Sequence, residues 1–306
     1  MTHAENRRSA VRKIRGMAYA LTKDIASDAP FCTCGFDLRH GAVKLQKSGT
    51  CIYCGYRGKL SGEHVFGDWL RRRFDRPAGN RTHMLSRPEK PRFFEDVKLV
   101  QNVEHNKRAQ PYADVVFNVC EECNNNWMSE VHKLAAPVVS RLADGFWPKL
   151  SEDEILALSR WVAMVAINLE SKARIQTSTQ SHRSEMMAGK MPPGWRISAA
   201  RLDTSHYGGD SRHSTIKLPI GIGEDFLQAQ ITYFCVENVA FHATSTIGDS
   251  TLQLIQYAGV AEQYLPRRIW PICDPPNLVT KVRVNKIALD RMHETFQSPF
   301  NKRSLD

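Results

Sequence analysis

The chain has no run of 18 or more apolar residues, so no segment is expected to span a membrane. Its first residues, MTHAENRRSAVRKIRG, are charged and lack the apolar stretch of a secretory signal, which points to a cytoplasmic protein. Internal repeats and low-complexity tracts are absent as well. Cysteine is scarce: eight in 306 residues are too few for a disulfide scaffold. In a reducing compartment the paired ones are free to bind metal instead. With 42% hydrophobic and 24% charged residues, the composition is that of an ordinary soluble protein. The length allows one large or two medium domains.

What is present is concentrated. Cys51 and Cys54 form one Cys-x-x-Cys in CIYCG, and Cys120 and Cys123 form another in CEECNNNW. Zinc prefers four tetrahedral thiolate or imidazole ligands, and a pair spaced by two residues lets one tight turn present two sulfurs. Glycines 55 and 58 are expected to supply the turns of the first knuckle. The long gap between the pairs can be looped out at small entropic cost. Cys32 and Cys34, in FCTCGF, are separated by one residue, which suits chelation poorly; they read as spare ligands or as small apolar residues. Cys235 and Cys273 sit alone in apolar context and read as core thiols.

Between the knuckles stands Glu63-His64, in SGEHVFGDWL, and Asn124 directly follows Cys123. The net charge of +10 points towards a polyanion. Residues 71 to 108 hold 11 Lys or Arg against 5 Asp or Glu, so more than half of that surplus follows His64. Arg71, Arg72, Arg73, Arg76 and Arg81 are therefore candidate contacts to a nucleic-acid backbone, the alternative being a solvated basic loop. His83 and His105 in this stretch read as solvated.

Elements follow from periodicity. Residues 5–27 read as a helix, basic in its first half, either docked or contacting DNA. A helix is expected from His64 to Phe74 with Trp69 and Leu70 inward. Residues 77–111 read as an insertion with strands in KLVQNVEH and leading out through YADVVFNV. NNNWMSEVHKLAAPVVSRLAD has helical period, with Trp127, Val131, Leu134 and Val138 on one face and a kink or end at Pro137. Ser151 and Glu154 form a capping box before ILALSRWVAMVAINLE, a helix apolar nearly all round and so expected in a core. Strands are expected in WRISAARL, STIKLPI, FLQAQITYFCV, AFHATSTI and TLQLIQYAGV. Trp161 and Trp195 read as core.

The two knuckles, the Glu63-His64 pair and Asn124 together resemble the HNH or ββα-metal endonucleases, in particular their zinc-stapled branch that includes the phage junction-resolving endonuclease. The resemblance covers about residues 51 to 135. The stretches WMSEVHKLAAPVVSRLADGF and PPGWRISAARL look like uncharacterised bacterial proteins that join this motif to a common C-terminal region. The implied fold class is α+β: a zinc-stapled, treble-clef-like ββα-metal core with a mixed α+β C-terminal region. The implied division is an N-terminal segment over 1–50, a nuclease domain over 51–145 with a basic insertion over about 71–112, and a companion domain over 146–306.

The resemblance implies a structural zinc on Cys51, Cys54, Cys120 and Cys123. It makes His64 the general base, which suits an imidazole at neutral pH. Glu63 and Asn124 would ligate Mg²⁺ or Mn²⁺. The implied activity is hydrolysis of DNA phosphodiester bonds leaving 5′-phosphate ends, in bacterial or phage defence or mobile-element biology. The chain departs from the family twice. Trp127 stands where many members have His or Lys, and Glu63 where many have Asp. The first departure supports the alternative, a non-catalytic zinc-stabilised nucleic-acid-binding protein. Asn118 is a candidate orienter of the base, His132 a candidate to approach the metal from the same helix, and Asn125 and Asn126 read as capping or phosphate-facing groups.

Overall fold

The computed structural model describes residues 47–87, 101–173, 176–219, 226–246, 267–271 and 283–291, all within one compact unit. The helix expected over 5–27, Cys32, Cys34, Cys273 and the strand expected over 251–260 lie outside the described residues. The protein is mixed α+β. No described helix is long and apolar enough to cross a membrane.

Two sheets organise these residues. The first has three antiparallel strands in the order β1 (Ser48–Thr50), β2 (Arg57–His64), β5 (Val115–Cys120). Between β2 and β5 come the short helix α1 (Asp68–Arg73) and the hairpin β3 (Gly79–Arg87) and β4 (Gln101–Ala109). His64 therefore closes a strand, and the helix expected to begin there starts only at Asp68. Gly67, at φ 83, makes the break between them. At the end of β5 the chain turns into α2 (Glu121–Cys123), a π-helical turn over Asn124–Met128, and α3 (Ser129–Ala143). Pro137 does not end α3, which runs on to Ala143. The proline is exposed, so the carbonyl that loses its helical partner can turn to water.

The second sheet has seven strands in the order β10 (Arg267–Trp270), β6 (Trp195–Arg201), β9 (Val239–Thr246), β8 (Phe226–Val236), β7 (Ser211–Pro219), β3, β4. The basic insertion is thus the edge of this sheet. β3 pairs in parallel with β7, and Arg81, His83 and His105 fall on the β3–β4 ladder. Alternation of β-branched and aromatic residues located most of these strands, and β8 coincides with FLQAQITYFCV. The partner of the insertion was not readable, because pairing across more than 120 residues leaves no local trace.

Helix α4 (Glu152–Glu170) is the core of the second layer. Ser151 and Glu154 form the expected capping box, and thirteen of its residues are buried, Trp161 and Val162 among them. It packs on α3 and on β6, β7, β9 and β10. Trp195 is buried, as expected, and so is Cys235, whose thiol burial pushes far up. Phe234 and Phe241 meet Trp161 edge-on at 5.6 Å each.

The sheet also buries two imidazoles. Burial pushes His213 down to about 4 and His242 down to about 3. Unfolded histidine titrates near 6.5, so between about pH 6.5 and 4 the unfolded chain binds protons that the folded one refuses. Their contribution to stability is complete above about pH 6.5 and is lost as the pH falls. Urea unfolding in zinc-containing buffer is expected to show roughly 2–3 kcal/mol less stability at pH 5.5 than at pH 7.5. Equal midpoints at the two pH values would contradict this burial.

Candidate metal and catalytic site

The first knuckle is built by its backbone. The Cys51 amide donates to the Tyr56 carbonyl at 2.8 Å, and the Gly55 amide to the Cys51 carbonyl at 3.0 Å. Gly55 sits at φ 75, a conformation glycine adopts without strain. Cys120 ends β5 and Cys123 lies one helical turn later, so the second pair uses a strand-to-helix junction instead of a loop. The four sulfurs lie within 4.8 Å of one another, and Cys54 and Cys120 are 3.6 Å apart. Two thiolates on one tetrahedral zinc, at about 2.3 Å each, sit at about this spacing. The four cysteines could therefore hold a metal ion such as zinc.

The thiols are tuned unequally. Cys51 is lowered: burial opposes ionisation, but amides of Cys54, Cys120 and Tyr53 aimed at its sulfur outweigh it. Burial raises Cys120 and raises Cys123 further. Trp127 packs beside the cysteine cluster. Its ring meets Tyr53 edge-on at 4.8 Å, and its indole lies beside Cys123, where it favours the thiolate. The knuckle is tied to the second layer by Tyr53, whose hydroxyl reaches Asn168 Oδ1 at 3.2 Å, and by Arg183, which donates to the Ile52 carbonyl at 3.2 Å.

Glu63, His64 and Asn124 line one cleft of about 460 Å³, with Asp68, Arg72 and His132 also in its wall. Glu63 and His64 come from the end of β2, opposite Val116 and Val115, and Asn124 from the first π-helical residue. The strand register slips between Ser61 and Glu63, which frees the end of β2 from strict alternation.

Hydrogen bonds orient these groups. Ser61 Oγ donates to the Val119 carbonyl at 3.1 Å, so it must accept from its other neighbour, Asn124 Nδ2, also at 3.1 Å. The amide of Asn124 is thereby turned, and its Oδ1 is the atom left for a ligand. His64 Nε2 lies 3.5 Å from Asp68 Oδ1. A hydrogen bond from Arg71, at 2.9 Å, holds the Asp68 carboxyl below the usual carboxylate range, against its partial burial. The carboxylate thus faces Nε2. Among the described residues, His64 Nδ1 is buried without a hydrogen-bond partner. Asp68, four residues on from His64, takes the place considered for Asn118. Both polar atoms of the Asn118 side chain are buried without a partner among the described residues, His64 included.

His132 reaches the cleft, with Nε2 at 3.2 Å from Glu63 Oε1. Helical phase explains why the sequence left it doubtful. Eight residues at 3.6 per turn overshoot two turns by about 80°, which separates positions 124 and 132 on an ordinary α-helix. The π-helical turn absorbs one residue, so the two fall on one face within about 20°. Asn125 and Asn126 are exposed, and Asn125 also lines the cleft.

The basic candidates divide. Of Arg71, Arg72, Arg73 and Arg76, Arg72 is the most open, its side chain 71% exposed, and it lines the cleft while bonding Asp68 at 3.1 Å. Arg71 is committed to Asp68 and Arg73 to Asp144. Arg76 is structural: it pairs with buried Glu237 and donates to Ser205, while Tyr112 donates to the same carboxylate at 2.8 Å. Arg76→Ala is expected to cost roughly 2–4 kcal/mol, because it strands a buried charge. Arg72→Ala, at an open side chain, should leave the melting temperature intact. Thermal melts measure both.

No protein-family model, curated protein or solved structure matches this chain.

Proposed function

We propose that the chain is a metal-dependent endonuclease that hydrolyses DNA phosphodiester bonds, built on a zinc-stapled ββα-metal core. One observation carries this proposal: Glu63, His64 and the turned Asn124 share a cleft directly beside a four-cysteine cluster. The donor set suits the roles. A carboxylate and an amide oxygen are hard ligands of the kind Mg²⁺ and Mn²⁺ take, and Mg²⁺ needs few of them because it keeps several waters. The cysteine cluster offers four soft ligands and leaves no open position, which suits a structural zinc.

His64 takes a proton from the water that attacks phosphorus, while Asp68 faces its Nε2 and stabilises the imidazolium that forms. Glu63 and Asn124 hold the divalent cation. When bound, that cation supplies positive charge to the phosphoryl oxygens and to the departing 3′ oxygen. Arg72 gives the backbone a neutralising contact at the rim of the cleft. The products carry 5′-phosphate and 3′-hydroxyl ends.

The test is incubation of the purified protein with supercoiled plasmid and Mg²⁺ or Mn²⁺, followed by ligation of the products. Nicked or linear DNA that ligase seals without prior phosphorylation is expected. DNA that is bound in a salt-dependent way yet stays intact under both ions would favour the non-catalytic nucleic-acid-binding protein.

A further inference from the structure

The imidazole of His132 is held on every side. Its Nδ1 receives two indole N–H groups, from Trp69 at 3.4 Å and from Trp161 at 3.2 Å. An indole N–H can only donate, so Nδ1 must carry the lone pair and the ring proton must sit on Nε2. That nitrogen faces Glu63 Oε1 at 3.2 Å. The backbone makes room for this arrangement. Gly67 lies at φ 83, and a Cβ there would come within 2.6 Å of His132 Cε1 and 2.7 Å of Nδ1. The Glu63 side chain is only 6% exposed and that of His132 13%, so neither group has the freedom of a surface side chain.

We infer that His132 is a positioning residue for Glu63, donating Nε2–H to Oε1 so that Oε2 is presented to the divalent cation, and is not itself a metal ligand. This inference rests on the cation site proposed above. The protonated nitrogen has no lone pair to give a metal, and the two indoles oppose the tautomer that would free it. The arrangement reverses the common one in which a carboxylate orients a ligating histidine, with the same effect of fixing the ligand before the ion arrives. It also restrains a carboxylate one methylene longer than aspartate, which has more rotamers to lose. Trp161 belongs to α4, so the second layer of the protein enters the site through this ring.

The test uses the full-length, zinc-loaded protein and follows Mn²⁺ binding through the electron paramagnetic resonance of the free ion. His132→Ala is expected to weaken Mn²⁺ binding about 10- to 100-fold, the range seen for groups that orient ligands. His132→Gln, whose amide can still donate to Glu63, should recover most of that loss. The Mn²⁺ concentration for half-maximal plasmid nicking should rise by the same factor in His132→Ala. Zinc content and melting temperature report on folding. Nitrogen-15 NMR of the wild-type ring, which needs no variant to fold, should show Nε2 protonated and Nδ1 unprotonated both without and with Mg²⁺. Loss of the Nε2 proton on adding Mg²⁺ would make His132 a direct ligand and overturn the inference. Unchanged Mn²⁺ affinity in His132→Ala, beside a Glu63→Gln variant that no longer binds, would overturn it while leaving the cation site standing. Absence of Glu63-dependent Mn²⁺ binding in the wild type would remove both.

Discussion

His64→Ala is expected to lower the rate of plasmid cleavage by two to four orders of magnitude, the usual worth of a positioned general base. Zinc content, melting temperature and DNA affinity should stay at their wild-type values. The selectivity follows from the geometry. His64 is at the end of β2, its Nδ1 has no hydrogen-bond partner among the described residues, and its Nε2 lies beside Asp68, a half-buried carboxylate already shared by Arg71 and Arg72. Removing the imidazole therefore disturbs no buried network. Asp68→Asn should fall between the two, because it keeps a side chain opposite Nε2 but removes the negative charge. Quantified gels and fluorescence anisotropy on the same preparations measure rate and affinity. A His64→Ala protein that still cuts at more than a tenth of the wild-type rate would remove His64 from the chemistry.

Cys120→Ser is expected to act through the fold. A structural zinc contributes of the order of 10 kcal/mol to the module that binds it, comparable with the whole stability of a domain. Cys120 joins β5 to the helix that begins at Glu121, and Cys123 immediately precedes Asn124. Without the ion nothing ties the two knuckles together, and the strand-to-helix junction loses its anchor. Metal analysis should find little zinc. The melting temperature should fall by about 10 °C or more, at roughly 2–4 °C per kcal/mol for a unit of this size, and cleavage should vanish with it. The contrast between the two variants, one losing chemistry alone and the other metal, fold and chemistry together, separates the roles of the two sites. A Cys120→Ser protein with wild-type melting and no zinc in either form would show that the four thiols hold no structural ion.

Part of this arrangement was legible in the sequence, and the legible part was local. The spacing of Cys51 with Cys54 and of Cys120 with Cys123, the adjacency of Glu63 and His64, and the capping box at Ser151 each lie within a few residues, where short-range geometry decides. The clustering of the four sulfurs bears out the pairing of the knuckles. The orienting groups were not legible, because each depends on an approach between distant residues. Ser61 meets Asn124 across 63 positions, His132 meets Glu63 across 69, and Trp161 reaches His132 from another helix. The phase of the helix after Cys123 was hidden for a different reason. A π-helical turn carries no strong sequence signal, and one extra residue is enough to change which side chains share a face. The same holds for the basic insertion, where a strand was expected in KLVQNVEH while β3 and its pairing with β7 were not.

The central claim is that one protein carries a tightly held structural ion and a separate, exchangeable catalytic one. Its most direct measurement is plasmid nicking by protein desalted into buffer free of Mg²⁺ and Mn²⁺ and then given Mg²⁺, with zinc counted at each stage. Nicking should be absent after desalting while about one zinc per chain remains, and should return on adding Mg²⁺ alone. Undiminished nicking without added Mg²⁺, or DNA left intact before and after Mg²⁺ is restored, would contradict it.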